Sequence, residues 1–118
     1  MTEAVNHPAH YNQFRHEVIE LAEQLNFNNG NVVKYVCRAP YKGHAQEDLK
    51  KAIWYLRREL DRGIDEIWTD AANRLVLEFC RDLDRAGHPH LANALIALQG
   101  HQYMKAVREI MSEGRDGE

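Results

Sequence analysis

No stretch of this chain approaches the roughly 18 consecutive apolar residues that a membrane-spanning helix needs, and no apolar leader opens it, so a soluble, cytoplasmic protein is expected. It has two cysteines, Cys37 and Cys80, far apart and without a CxxC pair, which excludes a disulfide framework and leaves two reduced, buried thiols. Runs of alternating apolar and polar residues are nearly absent, and with them the signal for β-strands. No GxxxxGK[ST] occurs, so a P-loop phosphate cradle is excluded. An excess of basic charge is also missing: the formal net charge of −3 argues against general nucleic-acid binding.

What the sequence has is helical period. Phe14, Val18, Leu21, Ala22 and Leu25 step by three and four after Asn12, a plausible N-cap, and the run stops in "NFNNGN", whose Asn and Gly residues suit a turn. A second helix is expected from Asn31 to the residues before Pro40, with Val32, Val33, Val36 and Cys37 on its apolar face. Leu49, Ala52, Ile53, Leu56 and Leu60 form the cleanest stripe, closed by Gly63. A fourth helix is read from Ile64 to Gly87, a fifth from Pro89, and a sixth through Tyr103, Met104, Val107 and Ile110. The expectation is an all-α compact bundle of five or six helices, one domain over residues 1–112, with an N-terminal extended arm and a disordered tail at 113–118. Val18, Leu21, Val33, Val36, Leu49, Ile53 and Leu56 should pack its first three helices. Trp54 and Trp68 are read as core or subunit contacts, and a homo-oligomer is expected from the apolar surface that so small a bundle leaves over.

Charge is unevenly spread. Between Asn31 and Arg62 eight basic residues face four acidic ones, inside an acidic protein. Lys34 and Arg38 lie one helical turn apart with no acidic partner one turn away, and Lys42 follows in a loop, a pattern suited to phosphate oxygens. The plainer alternative is a solvated basic face, especially at Lys50 and Lys51, which follow Glu47. Tyr55 lies two turns from Asp48 and one from Lys51 on the same face. The opening stretch "VNHPAHYNQ" is open to three readings: a pocket wall, a staple seating the first helix, or half of a zinc site. His88 and His90 are read as capping a helix start, and His16, His44 and His101 as solvated.

Catalytic apparatus is thin. Glu17 and Glu20 share one side of the first helix and Asp48 begins the third, so these three carboxylates are the candidates for holding Mg2+. The pattern looks a little like the all-α nucleotide pyrophosphohydrolases, whose ExxE faces an ExxD, but no ExxD follows here. A surface role for Glu17 and Glu20 is the competing reading.

Five blocks in order, "VNHPAHYNQ", Glu17, "GNVVKYVCR", Tyr41-Lys42 and "EDLKKAIWYL", resemble a family of small phage-encoded proteins of unknown function that includes the nucleotide kinase of T7-like phages. The resemblance covers roughly residues 5–60. It implies a pocket in which Asn6, His7, His10 and Tyr11 fold back onto Asn31, Lys34, Tyr35, Arg38, Lys42, Asp48, Lys51 and Tyr55, in the host cell cytoplasm. It further implies a phosphorylated nucleotide as ligand and deoxynucleoside monophosphate kinase activity as the enzymatic reading. The alternatives are a non-catalytic sponge for a nucleotide immune signal, such as a cyclic oligonucleotide or an ADP-ribose derivative, and a Mg-dependent pyrophosphohydrolase-like enzyme. A protein-binding role through exposed helix faces ranks last, since it leaves the blocks without a ligand.

Overall fold

The computed structural model describes residues 13–116, and among them every regular element is an α-helix. The six helices are α1 (Val18–Ala22), α2 (Phe27–Arg38), α3 (Ala45–Arg62), α4 (Asp70–Arg85), α5 (Pro89–Gln99) and α6 (Tyr103–Asp116). The expected all-α bundle is found, but side-chain caps move several of its boundaries.

The first helix is much shorter than its apolar period. Glu17 and Glu20 form a reciprocal capping box that starts α1 at Val18. Upstream, Arg15 donates through its backbone N–H and its Nε to the Asp82 carboxylate at 3.0 and 3.1 Å. That anchorage to α4 holds residues 13–16 as turns and bends.

"NFNNGN" is not the expected turn but the start of α2. The Asn26 side chain accepts from the Asn29 N–H at 2.9 Å and caps a helix beginning at Phe27. Gly30 lies inside that helix for a steric reason. A Cβ there would meet the Ala22 carbonyl oxygen at 2.8 Å, so glycine lets α1 cross α2 at close range.

Gly63 ends α3 in the left-handed conformation at φ 69°, as its position suggested. The fourth helix starts later than its period, because the Thr69 hydroxyl accepts from the Ala72 N–H at 3.0 Å and caps α4 there. Pro89 occupies the first turn of α5. The expected disordered tail from residue 113 is corrected as far as residue 116. Gln46 of α3 donates to the Gly114 carbonyl at 3.3 Å and His88 meets Glu113 at 3.0 Å, so tertiary contacts carry α6 onward.

Helix α2 packs on α3, α6 joins α3 to α5, and α5 also lies against α4. Leu21, Val33, Val36, Leu49 and Leu56 are buried as expected, while Val18 and Ile53 are half-buried at the core edge. Cys37 and Cys80 are buried free thiols. Trp68 is buried; Trp54 is 58% exposed and is not a core residue. No helix among the described residues is long and apolar enough to cross a membrane.

Candidate functional site

The α2–α3 surface gathers positive charge around one ring. Tyr35 of α2 lies nearly parallel to Tyr55 of α3, with centroids 6.1 Å apart and planes 11° apart. Lys34 Nζ sits 4.8 Å, Lys51 Nζ 5.4 Å and Arg38 Cζ 6.0 Å from the Tyr35 centroid. The electron-rich ring face offsets part of the repulsion among these cations, each contact contributing about 0.5–1 kcal/mol at an accessible site. Phe27 and Trp54 flank Tyr55 at 5.9 and 5.0 Å and extend the patch outward, Phe27 being 73% exposed. Lys34, Tyr35, Arg38, Lys51 and Tyr55, each singled out in the sequence, therefore share one surface.

Two of its members have other work. Asp48 is 2% exposed, and its Oδ2 lies 3.3 Å from Arg38 Nε. Arg38 has no acidic partner one turn away on its own helix, but it finds one across the helix pair, in α3. An ion of this kind cannot stay charged and buried alone, so Arg38 serves first to keep Asp48 compensated. Lys51 is shared with Glu47 at 3.6 Å, an exposed pair worth little. Asn31 donates through Nδ2 to the Phe27 carbonyl at 2.8 Å, which fixes its amide. Lys42 lines a recess of about 70 Å³ with Phe14, Cys37, Arg38 and Tyr41. Burial pushes the Tyr41 hydroxyl and, further, the Cys37 thiol above their ordinary ranges, so neither is a nucleophile at neutral pH.

Beside this patch a cleft of about 550 Å³ opens between α1 and the first turns of α2. Its walls are Val18, Ile19, Ala22, Leu25 and Phe27; Glu17, Glu23, Asn31 and Lys34 stand among its polar lining. Phe27 and Lys34 thus belong both to the cleft and to the surroundings of the Tyr35 cluster.

Sequence reasoning passed over a buried polar network behind the cleft. Glu59 is 0% exposed and accepts from Asn26 Nδ2 at 2.6 Å, Asn28 Nδ2 at 3.1 Å, Asn29 Nδ2 at 3.4 Å and Arg62 Nη1 at 3.1 Å. Glu66 accepts from the Asn26 N–H and from Asn29 Nδ2, each at 2.7 Å. The network locks the start of α2 to α3 and to the segment after it, and so fixes the cleft's inner end. His101, expected to be solvated, lies with Nε2 2.6 Å from the Glu66 carbonyl. His88 occupies the N-cap of α5 and caps it through its backbone carbonyl rather than its ring, and the His88 and His90 rings meet Glu113 and Glu109 at 3.0 and 2.9 Å.

Glu17, Glu20 and Asp48 do not converge. Glu20 Oε2 accepts from the Glu17 N–H at 2.7 Å and Asp48 faces Arg38; among the described residues no three His, Cys, Asp or Glu side chains cluster closely enough to hold a metal ion. The remaining predicted ligand residues, Asn6, His7, His10 and Tyr11, lie outside the described residues.

Residues 5–57 match a family described as a protein of unknown function, DUF3310. That stretch takes in α1, α2 and α3 as far as Arg57, the helices that carry the cationic aromatic cluster and the cleft. No curated protein and no solved structure matches the chain.

Proposed function

We propose that this protein binds a phosphorylated nucleotide, with its phosphate held by the cations around Tyr35. The observation that carries the reading is their spacing: three cationic groups stand within 6.0 Å of one ring centroid in a protein of net charge −3. Mutual repulsion makes such a group a receptor for an anion, and the amines of Lys34 and Lys51 are mobile donors on exposed residues. Tyr35 acts as an organiser of charge rather than as a stacking surface for the base, since its ring is already engaged by Tyr55 and the cations.

Binding without turnover is the favoured form. The candidate carboxylates are already committed, Asp48 to Arg38, Glu47 to Lys51 and Glu20 to the α1 cap. The nucleotide kinase of the phage family that the sequence resembles makes phosphoryl transfer to a deoxynucleoside monophosphate the competing reading. Incubation with a nucleotide panel, followed by filtration and mass spectrometry, separates the two: ligand retained intact supports binding, and a shift by one phosphoryl group supports transfer. Lys34→Ala and Lys51→Ala should each lower affinity by about 1.5 kcal/mol, roughly tenfold, with an unchanged melting temperature. Full affinity in the double variant would refute the assignment.

A further inference from the structure

The cleft between α1 and α2 has a donor and acceptor balance of its own. Its walls are apolar over Val18, Ile19, Ala22, Leu25 and Phe27, and its volume of about 550 Å³ lies within the range of small-molecule sites. The charged groups at its edge are two carboxylates and one ammonium. Glu23 brings one carboxylate and Glu17 another, which also accepts from the Glu20 N–H in the α1 capping box. Asn31 gives one N–H of its Nδ2 to the Phe27 carbonyl and keeps its Oδ1, an acceptor, and its second N–H for a ligand. Asn26 gives one N–H of its Nδ2 to Glu59 and accepts the Asn29 N–H at its Oδ1, so its amide is anchored in the buried network. Lys34 brings the cationic end, with its ammonium over Tyr35 on the phosphate cluster.

We infer that this cleft is the base subsite of the proposed nucleotide site and selects bases that carry an exocyclic amino group. The inference rests on the nucleotide-binding reading and deepens it. A flat heterocycle fills an apolar slot of this kind, and Lys34 lies where the cleft meets the cluster, so one ligand reaches both. Cytosine, adenine and guanine present an N–H₂ to Glu23 and Asn31 Oδ1. Uracil and thymine present a single imide N–H between two carbonyl oxygens, and those oxygens oppose the Glu23 carboxylate and Asn31 Oδ1.

The sharpest probe is the pair CMP and UMP, which share sugar, phosphate and size and differ in the base edge, with ribose 5-phosphate as the baseless control. Calorimetry on the full chain should show CMP binding roughly tenfold more tightly than UMP, the effect of one discriminating hydrogen bond. Ile19→Trp, which fills the cleft from an exposed position, should bring both nucleotides to the affinity of ribose 5-phosphate. Glu23→Gln combined with Asn31→Leu should bring the CMP to UMP ratio toward one. Equal affinities in the wild type, a ratio that survives the double variant, or Ile19→Trp without effect would each overturn the base subsite. Ribose 5-phosphate binding that depends on Lys34 and Lys51 would then leave the phosphate cluster standing. Cytidine bound as tightly as CMP and preferred over uridine would keep the subsite and overturn the phosphate assignment, and a wild-type chain that binds none of these probes sinks both.

Discussion

Removing Glu59 tests whether the buried network, rather than helix propensity, holds α2 to α3. The carboxylate is fully buried and receives four donors, from Asn26, Asn28, Asn29 and Arg62. Their losses differ in Glu59→Leu. Asn28 is buried and spends its Nδ2 on Glu59, so it is stranded at a cost of about 1–3 kcal/mol. Asn29 keeps Glu66 at 2.7 Å and loses less. Asn26 is only part-buried and regains some hydration. Arg62, with 45% of its side chain exposed, returns to water at little cost. These losses add to about 3–4 kcal/mol, within the range for breaking a buried charged network from one side. For a domain of this size that lowers the melting temperature by roughly 10–15 °C. Urea unfolding followed by circular dichroism at the helix band measures it. The network predicts non-additivity as well: Glu59→Leu with Asn28→Ala should be less destabilised than the sum of the single variants, because the second change removes the stranded donor. A Glu59→Leu protein within about 1 kcal/mol of wild type would refute the reasoning, since the donors would then be satisfied without it.

Gly30→Ala would set a Cβ 2.8 Å from the Ala22 carbonyl oxygen, so α1 must move away; a loss of about 1–3 kcal/mol in urea unfolding is expected, and no loss would show that α1 is loosely seated. Arg38→Ala strands the buried Asp48 carboxylate and should cost about 2–3 kcal/mol, less than a fully buried pair because Arg38 is about one-third exposed, whereas Lys34→Ala should leave stability within about 0.5 kcal/mol; equal melting temperatures for the two would contradict the Arg38–Asp48 pairing. Burial pushes the Cys80 thiol from 9.0 to about 12 and the Cys37 thiol further up. The unfolded chain therefore ionises first, and stability present below pH 9 is lost as pH rises toward 12, by up to about 1.4 kcal/mol per pH unit for each thiol. A Cys37→Ala, Cys80→Ala variant should show a shallower alkaline loss in thermal melts between pH 8 and pH 10.5, and identical slopes would remove the thiols from that linkage.

Which parts of the site the sequence made readable follows from the range of the interactions that build them. Lys34, Tyr35 and Arg38 sit within about one turn of a single helix, as do Lys51 and Tyr55, so helical period alone assigns each group to a face. Arg38 with Asp48 and Asn28 with Glu59 depend on how α2 and α3 lie against each other, and no spacing within one helix encodes that. The misread "NFNNGN" shows the conflict most sharply. Asn and Gly favour turns locally, yet here Asn26 is an N-cap, Asn28 and Asn29 feed a buried carboxylate, and Gly30 gives room to the Ala22 backbone. A signal was present in α3 itself. Ala52, Leu56 and Glu59 follow one another by four and three along its buried ridge, and all three are 0% exposed. A carboxylate on an apolar ridge must find donors from another element, and the densest cluster of side-chain amides in the chain is the Asn-rich stretch about thirty residues earlier. Read that way, the acid at position 59 and the amides at 26, 28 and 29 make a helix of the supposed turn, and that helix supplies the inner wall of the cleft.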